Sequence, residues 1–143
     1  MHFFASHLIL KLQIITNTEL LKVNQDPLGI QATCRKHCCS KGTFGGMYPS
    51  VTCPGFQSSW QVWSGPLENG DFVVIIVNRF DVDTKIEFNW EKDAKVPRGT
   101  YKLRNLWKHE DLGTFDTSKN ATFHGVLGFH DNWAFRLYNQ HLP

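Results

Sequence analysis

WQVWSGPLENGDFVVIIVN, residues 60–78, is the stretch of sequence that decides the fold. Its first three residues alternate between apolar and polar, which is typical of a half-buried strand. From Asp71 to Asn78 a continuous apolar run indicates a strand buried on both faces. Asn69-Gly70 lies between them, and Asn-Gly favours a hairpin because both residues tolerate the positive φ of a type I′ turn. The stretch therefore predicts a β-hairpin.

Beyond the hairpin, further short strands follow at intervals of about ten residues, separated by turn residues. No helical periodicity interrupts them, and aromatic and β-branched residues, which favour strands, are frequent. Such spacing predicts an all-β chain folded as an antiparallel β-sandwich over residues 59–143. The predicted strands cover Lys85–Trp90, Thr100–Trp107, a short piece at Phe115, Thr122–Val126 and Trp133–Tyr138.

Before the hairpin, the sequence predicts one brief helix and a loop. Thr16-Asn17-Thr18-Glu19 fits a capping box, in which a hydroxyl and a carboxylate bind the first backbone N–H groups of a helix. Pro27 and Gly29 then end the helix. Residues 31–58 contain all four cysteines and show no periodicity, so we interpret them as a long irregular loop inserted before the sandwich.

Composition and charge exclude several classes of function. The chain has 143 residues and a formal net charge of +2, from 15 basic and 13 acidic residues that alternate in sign along the sequence. Without a basic block there is no electrostatic case for a nucleic-acid or anionic-membrane partner.

The apolar run from Met1 to Ile15 lacks a preceding basic residue and a cleavage site, so it is a poor signal peptide. It is also too short to span a bilayer.

Four pieces of the sequence resemble glycoside hydrolase family 27, the alpha-galactosidases, in the same order. IITNTELLKVNQDPLGIQ (residues 14–31) resembles the segment after the last helix of that family's catalytic barrel. WQVWSGPLENGDFVVIIVNR resembles its first sandwich hairpin, and YKLRNLWKHEDLGTF and GFHDNWAFRLY resemble later strands. Asn105 stands where Asp is common, and His130-Asp131 stands where His-Gly is usual. The resemblance covers about residues 14–30 and 57–139.

The resemblance implies a (β/α)8 barrel followed by an antiparallel β-sandwich. It implies a retaining enzyme that releases terminal alpha-linked galactose, or N-acetylgalactosamine, with two catalytic Asp residues on the barrel. A barrel needs roughly 250 residues, so the catalytic pair has no counterpart here. Residues 1–30 would be a remnant of the last barrel helix and its turn. We therefore expect a C-terminal part without catalytic residues, cofactor or metal, for which an alpha-galactoside is a partner only in the full enzyme.

The positions of the acidic residues in the sequence indicate structural roles. Retaining glycosidases need two carboxyl groups about 5 Å apart on rigid supports. Asp81 and Asp83 follow an apolar run and are interpreted as solvated loop residues, while Asp26 precedes a proline and is expected to brace a turn. The family context implies a secreted, lysosomal or vacuolar protein.

The cysteine-rich segment allows two interpretations. Cys34, Cys38, Cys39 and Cys53, with His37 among them, could bind zinc, but the second half offers one Cys and no nearby His. In a protein that resembles secreted or lysosomal enzymes, disulfides are favoured over metal, with the pairing open. Asn120-Ala121-Thr122 is an N-glycosylation sequon.

An alternative function is a carbohydrate-binding or structural sandwich without catalysis, in which exposed Trp60, Trp63 or Trp107 would stack on sugars. Burial of these indoles would instead assign them to the core. Residues 3–23 would have lost the neighbours they pack against, so we expect them to be poorly ordered or loosely docked. The oligomeric state is left open.

Overall fold

The structure is a computed structural model that describes residues 16–37, 40–44, 48–52, 60–119 and 121–140. Short 3-10 turns occupy Glu68–Gly70 and Thr117–Lys119. The one regular helix and ten strands of these residues are α1 (Thr18–Asn24), β1 (Thr33–Lys36), β2 (Ser40–Phe44), β3 (Tyr48–Thr52), β4 (Trp60–Pro66), β5 (Phe72–Asn78), β6 (Thr84–Asn89), β7 (Thr100–Asn105), β8 (Glu110–Asp116), β9 (Thr122–Leu127) and β10 (Asn132–Asn139).

The strands form a sandwich. Six of them make one antiparallel sheet in the order β1-β4-β5-β10-β7-β8, and β6 pairs with β9 as the second layer. Strands β2 and β3 form a separate antiparallel pair. The predicted antiparallel β-sandwich is confirmed.

The β4–β5 hairpin confirms the predicted turn. Asn69 has φ 60° and ψ 25°, and Gly70 has φ 71°, so both central residues have the positive φ of a type I′ turn. The N–H of Asp71 donates to the carbonyl of Glu68 at 3.3 Å and closes the turn. Strand pairing then runs from Pro66 opposite Phe72 down to Trp60 opposite Asn78.

The core lies between the six-stranded sheet and the β6–β9 pair. Because strand side chains alternate between faces, every second residue of β4, β5, β7 and β10 points inward, and Val62, Val74, Ile76 and Leu137 are fully buried. Phe88 and Trp90 cover them from the second layer, where they pack edge to face with their ring centroids 4.9 Å apart. An apolar, aromatic-rich interior of this kind is the main source of the domain's stability.

Residues 31–58 differ from the predicted irregular loop. They include β1, β2 and β3, and β1 extends the six-stranded sheet by pairing with β4, with Cys34 opposite Trp63. An edge strand of four residues carries little pattern of its own, and the partner strand determines its conformation. The prediction of an irregular loop was therefore wrong for these three strands.

Candidate functional site

Asn17, which precedes helix α1, binds both the start of the helix and the backbone just after β7. The side-chain oxygen of Asn17 accepts hydrogen bonds from the backbone N–H groups of Glu19 and Leu20, at 3.1 and 3.0 Å. Its amide nitrogen donates to the carbonyl oxygen of Leu106, just after β7, at 2.9 Å. Asn17 is therefore the N-cap, and the predicted capping box built on Thr16 and Glu19 is wrong, because Glu19 bonds elsewhere.

Glu19 forms a bidentate ion pair with Arg104 of β7. Arg104 Nη2 and Nε donate to the two carboxylate oxygens at 2.7 and 2.8 Å, and His109 Nδ1 lies 2.9 Å from the first of them. Hydrogen bonds from Arg104 outweigh burial and, together with a smaller contribution from His109, hold the pKa of Glu19 at about 2. The same bonds raise the pKa of the Arg104 guanidinium, which also binds Asp111 at 3.0 Å.

The chain after helix α1 contacts the sandwich at two further places, Asp26 and Ala32. Asp26 Oδ1 accepts the N–H of Leu28 at 3.1 Å, as in the predicted turn, and the N–H of Glu68 in the β4–β5 hairpin at 2.8 Å. Farther on, the backbone of Ala32 lies so close to Gly65 that a Cβ added there would be 3.0 Å from the Ala32 Cα. Gly65 alternates with the inward-facing Ser64, so this contact lies on the outer face of the sheet.

Together these contacts make one site, which we call the clasp: Asn17, Glu19 and Asp26 on the N-terminal segment, and Arg104, Leu106 and Glu68 on the sandwich. Helix α1 has no fully buried residue, although Leu20 and Val23 are half-buried, and the clasp contacts that hold it are polar. Residues 16–23 are thus fixed at defined points rather than loosely docked as predicted, while residues 3–15 lie outside the described residues. Sequence reasoning missed Arg104 because the Glu19 partner is 85 residues away.

The acidic residues singled out in the sequence lie apart from the clasp. Asp81 is 93% exposed and its Oδ1 is 2.6 Å from His130 Nε2, and Asp83 accepts the N–H of Phe129 at 3.1 Å. Both lie in the loop between β5 and β6. Within the described ranges, no three His, Cys, Asp or Glu side chains cluster as metal ligands.

The family model for the alpha galactosidase C-terminal beta sandwich domain matches residues 57–137. The chain belongs to this family. It is similar to alpha-galactosidase 3 of Arabidopsis thaliana, with 32% identity over 90% of this chain and 25% of that protein. It is also similar to a probable alpha-galactosidase of Dictyostelium discoideum, with 34% identity over 75% of this chain and 23% of that protein. The chain thus spans about a quarter of the length of the curated relatives it matches.

A solved structure of similar fold is alpha-galactosidase I from Mortierella vinacea. It superposes with a TM-score of 0.64 at 24% identity, over 90% of this chain and 28% of that one. At that identity the likeness concerns the fold, and it agrees with the sandwich described above. None of the described helices is long and apolar enough to cross a membrane.

The three tryptophans proposed as a sugar platform do not share a surface. Trp60 is 9% exposed and belongs to the core, while Trp63, three positions along the same strand, is 37% exposed on the other face. Trp107 is half-buried, and its Nε1 donates to Asn132 Oδ1 at 2.7 Å. In this member of the family Trp60 is therefore a core residue, and the alternative in which an exposed Trp60 stacks on sugars is wrong.

Cys34 is the one cysteine among the described residues, and it is not a free thiol. Cys38, Cys39 and Cys53, and the sequon residue Asn120, lie outside the described residues. Disulfide formation within the cysteine-rich segment and glycosylation at Asn120 therefore stay predictions. His37 packs edge to face on Trp60, with ring centroids 4.6 Å apart, and burial lowers the pKa of its imidazole.

Removing the Glu19 carboxylate from the clasp should loosen helix α1. We expect Glu19→Ala to lower the free energy of unfolding by about 1–2 kcal/mol at pH 7, since a bidentate charge-assisted pair is lost at a partly exposed site. A carboxyl whose pKa is depressed on folding stabilises the fold above its unfolded pKa of 4.5 and ceases to do so as the pH falls toward 2. The difference between wild type and variant should therefore shrink below pH 4.5, which urea titrations at pH 7 and pH 3 would measure. An undiminished difference at the lowest pH would contradict this role for Glu19.

Proposed function

We propose that the chain is the C-terminal part of a retaining alpha-galactosidase that hydrolyses terminal alpha-linked galactose, and that it carries none of the catalytic carboxylates. Its relatives are named alpha-galactosidases and are more than three times its length. A (β/α)8 barrel takes roughly 250 residues, far more than the segment that precedes the sandwich here. N-acetylgalactosamine in place of galactose is the alternative substrate of the same chemistry.

The clasp is the observation that carries the proposal. The segment around Asn24-Gln25-Asp26-Pro27, which resembles the end of the family's catalytic barrel, is bound to the sandwich at three separate places. Two of these, at Asn17 and Glu19, reach the end of β7, and the third, at Asp26, reaches the first hairpin. A sandwich that holds the last barrel segment so firmly is suited to stabilising the barrel to which that segment belongs.

Three carboxylates among the described residues have pKa shifts opposite to the one that a general acid needs. The general acid of a retaining glycosidase needs a raised pKa, so that it is protonated at working pH. Glu19, Asp93 and Asp111 all have lowered pKa values because hydrogen bonds from cationic side chains or the backbone favour their charged forms. These groups are suited to ion pairing rather than to proton donation.

The same proposal includes an oxidising compartment. A secreted, lysosomal or vacuolar enzyme would keep the cysteine-rich segment closed by disulfides among Cys34, Cys38, Cys39 and Cys53. It would also pass the machinery that glycosylates Asn120.

A domain replacement tests the proposal. We expect the purified chain to leave a chromogenic alpha-galactoside intact, because it lacks the acidic pair. Exchanging the matching C-terminal quarter of Arabidopsis thaliana alpha-galactosidase 3 for residues 16–143 should give an active enzyme, since the clasp would hold the foreign barrel end. The same chimera carrying Glu19→Ala is the matched variant and should lose activity at a lower temperature.

Two results would overturn the proposal. Turnover by the chain alone, retained through further purification, would show that it has catalytic groups of its own. A chimera that is soluble and folded but no more heat-stable than the barrel without any sandwich would remove the supporting role.

A further inference from the structure

A polar groove lies on the side of the sandwich where β1 meets the second layer. It has a volume of about 420 Å³, within the range of small-molecule sites. The groove is lined by residues from the end of β1, from β6 and the turn that follows it, and from the start of β9. They are Lys36, Glu87, Phe88, Asn89, Lys92, Asp93 and Thr122.

One wall of the groove is fixed by an internal ion pair. Lys36 Nζ lies 2.9 Å from Asp93 Oδ2, and the same oxygen accepts the backbone N–H of Asn89 at 2.8 Å. These bonds lower the pKa of Asp93 against the effect of burial, so the carboxylate stays charged and paired. This wall of the groove is therefore held in place by groups that are already hydrogen-bonded to one another.

Two other charged groups of the groove have capacity to spare. Glu87 has a 72% exposed side chain, and its carboxylate lies 3.7 Å from His124 Nδ1, beyond hydrogen-bonding distance. Lys92 is exposed, and no ion pair joins its ammonium group to another described residue. The groove thus offers a cationic donor and an anionic acceptor to a ligand.

The charges of the lining cancel, because two lysines stand against Glu87 and Asp93. A neutral lining rich in both donors and acceptors fits a neutral ligand rich in hydroxyl groups better than it fits an ion. The groove also lies away from the clasp, which is on the outer face of the six-stranded sheet.

We infer that this groove binds a neutral saccharide, an inference that rests on the proposed function for the kind of ligand present. Two sources share this chemistry. One is a galactose residue of the substrate or product, and the other is an N-linked glycan at Asn120, because the sequon residue Thr122 lines the groove. The lysine ammonium would donate to sugar hydroxyls and the Glu87 carboxylate would accept from them.

The test uses the 143-residue chain produced without glycosylation and titrated separately with galactose and with chitobiose, the core disaccharide of N-linked glycans. We expect saturable amide shifts at Glu87, Asn89 and Lys92, with a Kd in the millimolar range, for at least one sugar. Lys92→Ala should weaken that binding about tenfold, because one charge-assisted hydrogen bond is lost. Lys108→Ala is the matched control, since both lysines lie three residues after an asparagine whose side chain accepts their backbone N–H.

Binding of galactose assigns the groove to the substrate, and binding of chitobiose alone assigns it to the glycan. Absence of saturable shifts with both sugars overturns the inference, and so does binding that Lys92→Ala leaves unchanged. The chimera assay reports the proposed function independently, so an active chimera whose sandwich binds neither sugar rejects the groove alone.

Discussion

Replacing Asp71 with alanine is expected to lower the free energy of unfolding by about 3–5 kcal/mol, the cost of leaving one partner of a buried ion pair uncompensated. Asp71 Oδ2 accepts from Nε and Nη2 of Arg136 at 3.0 and 2.8 Å, and Oδ1 accepts the N–H of Asn139 at 2.9 Å. The side chains of Asp71 and Arg136 are 10% and 17% exposed, respectively. Truncation leaves the Arg136 guanidinium without its carboxylate at the centre of the six-stranded sheet.

Urea titration of the wild-type chain and the variant, followed by far-ultraviolet circular dichroism, measures this cost. A domain of this size has only about 5–15 kcal/mol to lose, so a variant already unfolded without urea also agrees with the expectation. Asp81→Ala is the matched control, because that carboxylate is 93% exposed and its pair with His130 should contribute less than about 1 kcal/mol. Equal and small losses for both variants would show that the Asp71 pair contributes little.

The contrast between Asp71 and Asp81 shows which features of the fold can be predicted from the sequence and which cannot. The hairpin was predictable because a type I′ turn depends on two adjacent residues, Asn69 and Gly70, and on the apolar pattern beside them. Both Asp71 and Asp81 flank the same apolar run, and nothing local distinguishes them. The burial of Asp71 arises from β10, whose Arg136 lies 65 residues along the chain.

Strands that lie at sheet edges were the hardest to predict. Strand β8 is exposed along most of its length, and Gly113, with φ 99°, accompanies a shift in its register against β7. It therefore lacks the alternation of buried and exposed residues that marks β7, and only Phe115 indicated it. Strand β1 was missed for the same reason, since its conformation comes from pairing with β4.

The candidate site was half predictable. The sequence identified the segment that contains Asn17, Glu19 and Asp26, and it placed a helix start there. It assigned Glu19 to a local cap because a capping box is a short-range pattern. The actual partner, Arg104, becomes a neighbour only when β7 takes its place in the sheet, so the clasp depends on tertiary structure.

Phe88→Ala is expected to have an effect of similar size, a loss of about 3–5 kcal/mol, because a large buried ring leaves a cavity that the fold cannot fill. Phe88 is 1% exposed. Its ring lies 4.9 Å from Trp90, just after β6, and 5.3 Å from Phe123 of β9, centroid to centroid, so both aromatic contacts would be lost with it. Since the β6–β9 pair forms the second layer among the described residues, the six-stranded sheet would lose packing over its inner face.

Phe129→Ala removes the same atoms from a ring that is 64% exposed, and it should change stability by less than about 0.5 kcal/mol. Urea titration followed by tryptophan fluorescence compares the two variants, because Trp90 reports on the packing around Phe88. Two equal losses would mean that the second layer is not part of the cooperative unit. The expected gap would instead show that the aromatic residues of this sequence are frequent because they build the core.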